Sequence, residues 1–164
     1  MSKVLVVDDE LCVGCERCAI ACSFMFFKVY NPTRGAIHTV KLEPGRDVAI
    51  ACIQCGLCIT QCPYNALYRD EKTMVVKVNE EKCTACGYCV QACPYGAIHI
   101  DPVKNKAFKC TACGYCVMFC PQSALKVVTA EEAAKDKWRS TAKAVTIERE
   151  LPPARKIWYK PPLK

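Results

Sequence analysis

Four cysteine runs with one common spacing dominate this sequence of 164 residues. The first run is Cys12, Cys15, Cys18 and Cys22; the second is Cys52, Cys55, Cys58 and Cys62; the third is Cys83, Cys86, Cys89 and Cys93; the fourth is Cys110, Cys113, Cys116 and Cys120. Three thiolates separated by two residues each hold one 4Fe–4S cube, and a fourth thiolate after three more residues can ligate a neighbouring cube. The 16 cysteines therefore suffice for four cubes. We interpret the chain as a relay for single electrons.

Disulfides and zinc are the two competing uses of these cysteines. Short secreted chains often carry disulfide frameworks, but bridges do not require so uniform a spacing, and nothing in the sequence indicates secretion. Zinc sites use two CxxC pairs separated by a longer loop. A third cysteine after two residues and a fourth after three is instead typical of a cluster, so the spacing favours iron–sulfur clusters.

Glycine and proline occupy positions in the runs that suit cluster loops. Gly14, Gly56, Gly87 and Gly114 lie one in each run, and glycine permits the unusual dihedrals and close approach that wrapping a cube requires. Proline follows the last cysteine of the second, third and fourth runs, which favours an extended conformation at that cysteine. We expect these thiols to turn away from their own loops. The first run departs from the pattern, because Ser23 stands where the others have proline.

The formal charge of +7 counts every cysteine as neutral. A 4Fe–4S cube in its 2+ state with four thiolates carries a charge of about −2, so four such sites bring the total to about −1. A nucleic-acid partner therefore loses its main support, and we expect none. The sequence shows no signal peptide and no apolar run of the roughly 20 residues that a membrane helix needs. We expect a cytoplasmic protein without a membrane span.

The residues between the runs predict short strands and hairpins. Residues 3–7 and 125–128 read as strands, a further strand is expected near 36–42, and β-hairpins are expected at 67–78 and 97–108. The middle of the chain thus repeats one unit, namely a cluster loop, a short helix carrying the fourth cysteine, and a hairpin. Such a repeat indicates internal duplication.

Four further residues are candidates for roles near the clusters. Lys82 and Lys109 precede the first cysteine of the third and fourth runs. Each would raise a cluster's potential if its charge lay close by, but we expect both to be solvated surface residues. We also expect His38 and His99 to be ordinary strand residues, since the cysteines already saturate four cubes.

The four runs, in a chain without a catalytic domain, resemble the four-cluster, ferredoxin-like electron-transfer subunits of the DMSO reductase iron–sulfur subunit type. The resemblance covers Leu5 to about Val128, and it implies that the second and third runs form one module nested inside a module of the first and fourth. It also implies four ligand sets, each named here after the run that supplies three thiols. The first-run set is Cys12, Cys15, Cys18 and Cys120; the second-run set is Cys52, Cys55, Cys58 and Cys93; the third-run set is Cys83, Cys86, Cys89 and Cys62; the fourth-run set is Cys110, Cys113, Cys116 and Cys22. Only nesting lets strand 3–7 meet strand 125–128 within one module.

The expected fold is accordingly α+β, with two ferredoxin-like modules that each hold two 4Fe–4S clusters. We expect an outer module of residues 1–50 and 97–128, an inner module of residues 51–96, and a C-terminal extension of residues 129–164. Thr129 and Glu132 form a capping box, which predicts a helix from 130 through Trp138. Beyond it, residues 151–164 combine prolines and basic residues with Trp158 and Tyr159, which favours an arm that docks on a partner subunit over a frayed tail.

The resemblance implies a non-catalytic subunit that exchanges electrons with a catalytic oxidoreductase subunit and with a soluble carrier or a further electron-transfer subunit. The compact fourth run looks more like the small subunits that serve tungsten enzymes of the aldehyde oxidoreductase family, including the tungsten-dependent benzoyl-CoA reductase complex. Similar subunits serve hydrogenases, formate dehydrogenases and carbon monoxide dehydrogenase, and the motifs do not separate these partners. A free soluble polyferredoxin that shuttles between enzymes is the alternative.

Overall fold

The computed structural model describes residues 3–43 and 46–135, which form short helices and four two-stranded antiparallel sheets. The strands are β1 (Lys3–Val7), β2 (His38–Glu43), β3 (Arg46–Ile50), β4 (Leu67–Arg69), β5 (Val76–Val78), β6 (Ile98–Asp101), β7 (Lys106–Lys109) and β8 (Leu125–Thr129). The α-helices are α1 (Arg17–Phe27), α2 (Leu57–Thr60), α3 (Tyr88–Ala92) and α4 (Ala130–Lys135), and 3₁₀ helices span Pro32–Arg34 and Tyr115–Phe119. None of the helices in these ranges is long and apolar enough to cross a membrane.

The two ends of the described residues meet in one sheet. β1 pairs antiparallel with β8, with Leu5 opposite Val127, which confirms the expected meeting of the strands near 3–7 and 125–128. Alternate residues of β1 point to opposite faces, so Leu5 and Val7 enter the main core while Val4 and Val6 pack beside Val128 and α4. From Val4 to Val7, β1 is therefore buried on both faces.

The remaining strands form three local hairpins. β4 pairs with β5 and β6 with β7, as the sequence predicted for 67–78 and 97–108. The expected strand near 36–42 is β2, and it pairs with β3. Asn105 adopts a left-handed conformation in the second hairpin turn, with φ of 53°, a conformation that asparagine tolerates better than most residues.

Cysteines form a large part of two separate cores. One core combines Leu5, Ile37, Val48 and Leu125 with thiols of the first, second and fourth runs. The other combines Leu67, Val76 and Ile98 with thiols of the second and third runs. The hairpin β6–β7 contributes to both cores, so the expected division between inner and outer modules at residues 96 and 97 stays a prediction.

The fourth cysteines do not share one setting. In the second, third and fourth runs the fourth cysteine follows its short helix, and Cys93 and Cys120 cap theirs. The expectation that a short helix carries this cysteine was wrong there, because the proline that follows favours an extended residue before it. Among the four fourth cysteines, Cys22 alone lies inside a helix, α1, which continues to Phe27.

Ser23 replaces the proline of the other runs and is fully buried within α1. Its Oγ donates to a carbonyl oxygen, with Val29 O at 2.8 Å and Ile20 O at 2.9 Å, and accepts from the backbone N–H of Asn31 at 3.1 Å. Proline at this position would break the helix. Ser23 instead fixes the turn that leaves α1.

A buried ion pair ties the segment after α1 to the hairpin β6–β7. Arg34 donates from Nε and Nη2 to the two carboxylate oxygens of Asp101 at 2.8 and 2.6 Å, and the two side chains are 9% and 1% exposed. The guanidinium also lies 4.1 Å from the centroid of the Phe27 ring. Such a bidentate pair is geometrically specific, so it fixes how the two segments meet.

The capping box at the start of α4 is confirmed. Thr129 Oγ1 accepts from the N–H of Glu132 at 3.2 Å, and the Glu132 carboxylate accepts from the N–H of Thr129 at 2.9 Å. The predicted continuation of this helix to Trp138 lies outside the described residues. The same holds for the predicted docking arm with Trp158 and Tyr159.

Replacing Ser23 with alanine should lower stability by about 1–3 kcal/mol, because the N–H of Asn31 loses its buried acceptor. The measurement is the urea denaturation midpoint of anaerobically prepared, cluster-loaded protein. Ser123→Ala is the control, since Ser123 is exposed and exposed substitutions usually change stability by less than about 0.5 kcal/mol. Equal midpoints for both variants would show that the hydroxyl of Ser23 contributes nothing.

Replacing Asp101 with asparagine should destabilise the protein more than Ser23→Ala, because it leaves the buried Arg34 charge unpaired. Burial alone would raise the pKa of Asp101, but hydrogen bonds from Arg34, Val103 and Lys104 outweigh it and lower the pKa. The ion pair therefore contributes fully above the usual aspartate pKa of about 3.9 and is lost only as pH falls through the lowered value.

The difference in midpoint between wild type and Asp101→Asn should accordingly stay constant between about pH 6 and 8. Glu80→Gln is the matched control, because Glu80 pairs with Lys104 of the same hairpin but both side chains are well exposed. Exposed pairs contribute little. A difference that changes across this pH range, or an equal loss in Glu80→Gln, would contradict the assignment.

Candidate metal centres

The first two cysteines of each run lie in a loop with left-handed residues on both sides of the second, and the third cysteine lies at the start of the helix that follows. Before the second cysteine stand Gly14, Gln54, Ala85 and Ala112, and after it stand Glu16, Gly56, Gly87 and Gly114. The expected unusual dihedrals of the glycines are thus confirmed. Sequence reasoning did not predict that non-glycine residues at these positions would be left-handed, because only glycine is expected there. This conformation costs about 1–2 kcal/mol for each such residue.

The loops expose one thiol and bury another. The second cysteine of every run is exposed and the third is buried. Each loop therefore has one side open to solvent.

The loop of the first run also requires glycine for space, because a Cβ added at Gly14 would come within 2.1 Å of the Asp47 side chain.

Each fourth cysteine accepts a backbone hydrogen bond at sulfur. In the second, third and fourth runs the donor is the alanine N–H four residues later, at 3.3 to 3.4 Å. Cys93 and Cys120 are extended, with ψ of 109° and 110°, as the following proline predicts. Cys22 accepts from Ala36, 14 residues later, at 3.3 Å. The first run therefore reaches the same kind of hydrogen bond by a different backbone route.

Two cavities are lined by thiols from two different runs. One cavity has among its lining residues Cys62, Cys83, Cys86 and Cys89. The other has among its lining residues Cys52, Cys55, Cys58 and Cys93. Four thiols around one space are the donor set that a 4Fe–4S cube requires, so the residues present fit this cofactor.

The thiols of the first and fourth runs also lie near one another. Burial, together with the thiolates of its own run and of Cys120, raises the pKa of Cys18 to about 12. Burial, together with the thiolate of Cys113, raises the pKa of Cys22 to about 11. Buried thiols crowded in this way resist deprotonation. Bound iron would supply the positive charge that makes the thiolate form favourable.

Three pairs of thiols, each from two different runs, affect one another's pKa. Burial is the main cause of a raised pKa at Cys89, Cys110 and Cys116. Among charged neighbours, Cys58 acts most strongly on Cys89 and Cys52 acts most strongly on Cys110. Cys116 is also affected by Cys18 of the first run. Thiols of neighbouring runs therefore influence one another's pKa, from the third run through the second and fourth to the first.

Lys109 is buried, so its expected place as a solvated surface residue was wrong. The residue is 3% exposed, because it lies at the end of β7 against the cavity lined by Cys52, Cys55, Cys58 and Cys93. Its Nζ donates to Gln54 Oε1, Val76 O and Cys110 O at 2.9, 2.9 and 3.1 Å. Gln54 is also buried, and its Nε2 donates to Cys110 O at 2.8 Å. Sequence reasoning missed Gln54, since only its place between two cysteines distinguishes it. Lys82 is exposed as expected.

His38 lies in β2 and His99 lies in β6, and both were expected to lie in strands. Their ring centroids are 4.9 Å apart, and the rings pack edge to face. Burial lowers the pKa of both, that of His99 to about 4. Both imidazoles are therefore neutral near pH 7. Neither lines the two thiol cavities.

Family models match the cysteine-containing part of the sequence. Two 4Fe-4S dicluster domain models match residues 51–97 and 82–125. A 4Fe-4S binding domain model matches residues 5–26. The matched residues include all four cysteine runs, so these segments are 4Fe–4S binding domains.

Several relatives are named as subunits or chains of oxidoreductases and reductases. The polyferredoxin-like subunit of aliphatic sulfonate oxidoreductase from Pyrococcus furiosus is 42% identical over 82 residues, which cover 49% of this chain and 47% of that one. A polysulfide reductase subunit from Wolinella succinogenes is 33% identical over 111 residues, covering 60% and 56%. The thiosulfate reductase electron transfer subunit PhsB from Salmonella typhi is 30% identical over 89 residues, covering 49% and 46%. The chain spans about half the length of these curated relatives.

Among solved structures, the chain is similar to the active site complex BamBC of benzoyl coenzyme A reductase in complex with benzoyl-CoA. The similarity covers 89% of this chain and 96% of that chain, at 21% sequence identity and a TM-score of 0.44. The complex with zinc gives 20% identity and a TM-score of 0.43 over 89% of this chain and 97% of that one.

Proposed function

We propose that this chain, in which residues 51–97 and 82–125 match 4Fe-4S dicluster domain models, relays single electrons through four 4Fe–4S clusters as the non-catalytic subunit of an oxidoreductase complex. The observation that carries the proposal is the pair of cavities, each lined by three thiols of one run and the fourth thiol of the other. Thiols so arranged would hold a cube without help from any other residue type.

The ligand sets of the proposal are the first-run, second-run, third-run and fourth-run sets. The two cavities support the second-run and third-run sets. The proximity of Cys120 to Cys18, and of Cys113 to Cys22, supports the first-run and fourth-run sets. The pairing of β1 with β8 is also consistent with a nested outer module.

The proposed path runs from the third-run set through the second-run and fourth-run sets to the first-run set. Its support is the series of thiol pairs Cys89 with Cys58, Cys110 with Cys52, and Cys116 with Cys18. When bound, each cube supplies one-electron chemistry. The buried third cysteines exclude water from the interior, while the exposed second cysteines bring each site close to the surface. Cys86 and Cys15, in the two terminal sets, mark where a donor and an acceptor would approach.

The partner is proposed as a catalytic oxidoreductase subunit. The names of the relatives from Pyrococcus, Wolinella and Salmonella support a subunit of this general kind. The narrower proposal, a tungsten enzyme of the aldehyde oxidoreductase family, rests on the compact fourth run that resembles the small subunits of such complexes. The substrate would then be transformed entirely on the partner.

Paired cysteine substitutions should test the ligand sets through iron content. Cys55→Ala with Cys93→Ala removes two ligands of the second-run set alone, so about 12 iron atoms should remain per chain, four for each surviving cube. Cys55→Ala with Cys62→Ala removes ligands from two sets, so about eight should remain. Cys62 is the matched control, because it belongs to the same run as Cys55. The reverse result would show that each run holds its own cube.

The function itself is tested by anaerobic purification from the native source, with analysis of iron, acid-labile sulfide and co-purifying chains. About 16 iron atoms per chain, as four cubes require, together with a large catalytic partner, would support the subunit. Tungsten in that partner would support the narrower proposal. The same iron content without a partner would instead favour a free polyferredoxin, and zinc in place of iron would overturn the proposal.

A further inference from the structure

Lys109 is a buried cation whose charge is not balanced by the groups that bind it. Its three acceptors are the side-chain oxygen of Gln54 and the carbonyl oxygens of Val76 and Cys110, all of them neutral. An ammonium has three donors, so these contacts hold the charged group in a fixed place. Burying a charge is costly unless an opposite charge lies nearby. The arrangement therefore calls for an anion.

The anion is supplied by the proposed cluster sites. Lys109 lines the cavity of the second-run set. It also directly precedes Cys110 of the fourth-run set, and its Nζ donates to the carbonyl oxygen of that cysteine at 3.1 Å. A cube with four thiolates carries about −2 when oxidised and about −3 when reduced by one electron. The lysine thus lies between the two middle sites of the proposed relay.

We propose that Lys109 raises the reduction potential of the second-run and fourth-run clusters, and so holds electrons in the middle of the relay. The inference rests on the proposed function. In the reduction step an external donor loses one electron, one cube gains it, and no bond forms or breaks. The fixed ammonium attracts a charge of −3 more strongly than one of −2, so it stabilises the reduced state.

Gln54 acts as a positioning residue for this cation. Its Oε1 accepts from Lys109 Nζ at 2.9 Å and from the N–H of Val76 at 3.1 Å, while its Nε2 donates to Cys110 O. One amide therefore joins the loop of the second run, strand β5 and the first cysteine of the fourth run. The lysine cannot move away from the two sites without breaking this network.

The test compares Lys109→Gln, Lys109→Arg and Lys82→Gln in protein reconstituted with iron and sulfide and reduced stepwise with dithionite, followed by low-temperature EPR. Lys82 is the matched control, because it precedes the first cysteine of the third run in the same way but is exposed. Iron and sulfide are counted in every sample. The count separates a failure of cluster loading from a change in potential.

In Lys109→Gln, two of the four titration steps should move to lower potential. At the potential where each of these two clusters is half reduced in wild type, we expect a reduced-to-oxidised ratio roughly tenfold lower, equivalent to about 59 mV for a one-electron couple. Lys82→Gln should leave all four steps unchanged. Lys109→Arg should restore the wild-type values, since it keeps the charge.

Unchanged potentials in fully loaded Lys109→Gln would overturn the inference while leaving the relay intact. Equal shifts in Lys109→Gln and Lys109→Arg would also overturn it, because they would show that packing matters and charge does not. If Lys109→Gln fails to load iron, Lys109→Met serves in its place. It removes the same charge while keeping an unbranched side chain, so the same two potentials should fall. Wild-type protein that binds no iron would refute the proposed function itself.

Discussion

Thiols from two cysteine runs line each of the two inner cavities, and this sharing is the constraint on which the rest of the fold depends. A run can bring three thiols together through its own loop, because left-handed residues turn the backbone on both sides of the second cysteine. The fourth thiol is directed elsewhere, since a following proline or a continuing helix sets its backbone. Two runs must therefore pack side by side to complete one set of four thiols. The short hairpins connect the runs along the sequence.

Buried charge is the second organising feature. The cores contain cysteine thiols in place of many of the large apolar residues expected in a chain of this size, and burial raises the pKa of several of them. Lys109 brings a cation into the same interior. Each feature is unfavourable in isolation, and each becomes favourable when iron binds the thiols and a negatively charged cube faces the lysine. Cofactor binding and folding are thus closely linked in the proposed relay.

The first run shows how different backbones can satisfy one requirement at sulfur. Its fourth cysteine lies within α1, and Ser23 stabilises the turn that follows. The donor to Cys22 is consequently Ala36, far along the sequence, instead of the alanine four residues on. The sequence shows that Ser23 stands where the other runs have proline. It does not show that Ala36 donates to Cys22, because this contact forms only when the segment after α1 folds back. The ion pair of Arg34 with Asp101 was invisible for the same reason, since 67 residues separate its partners.

The sequence alone determined the cofactor class and the local structure around each run, because cysteine spacing, glycine and proline act over a few residues of backbone. It also predicted β1, β8 and the two later hairpins, whose apolar patterns and turn residues are local signals. Only the tertiary structure decided which thiols share a cavity and which lysine is buried. Lys82 and Lys109 occupy equivalent sequence positions, yet one is exposed and the other is enclosed by Gln54, Val76 and Cys110. That difference arises from contacts between distant segments, which no local pattern of residues encodes.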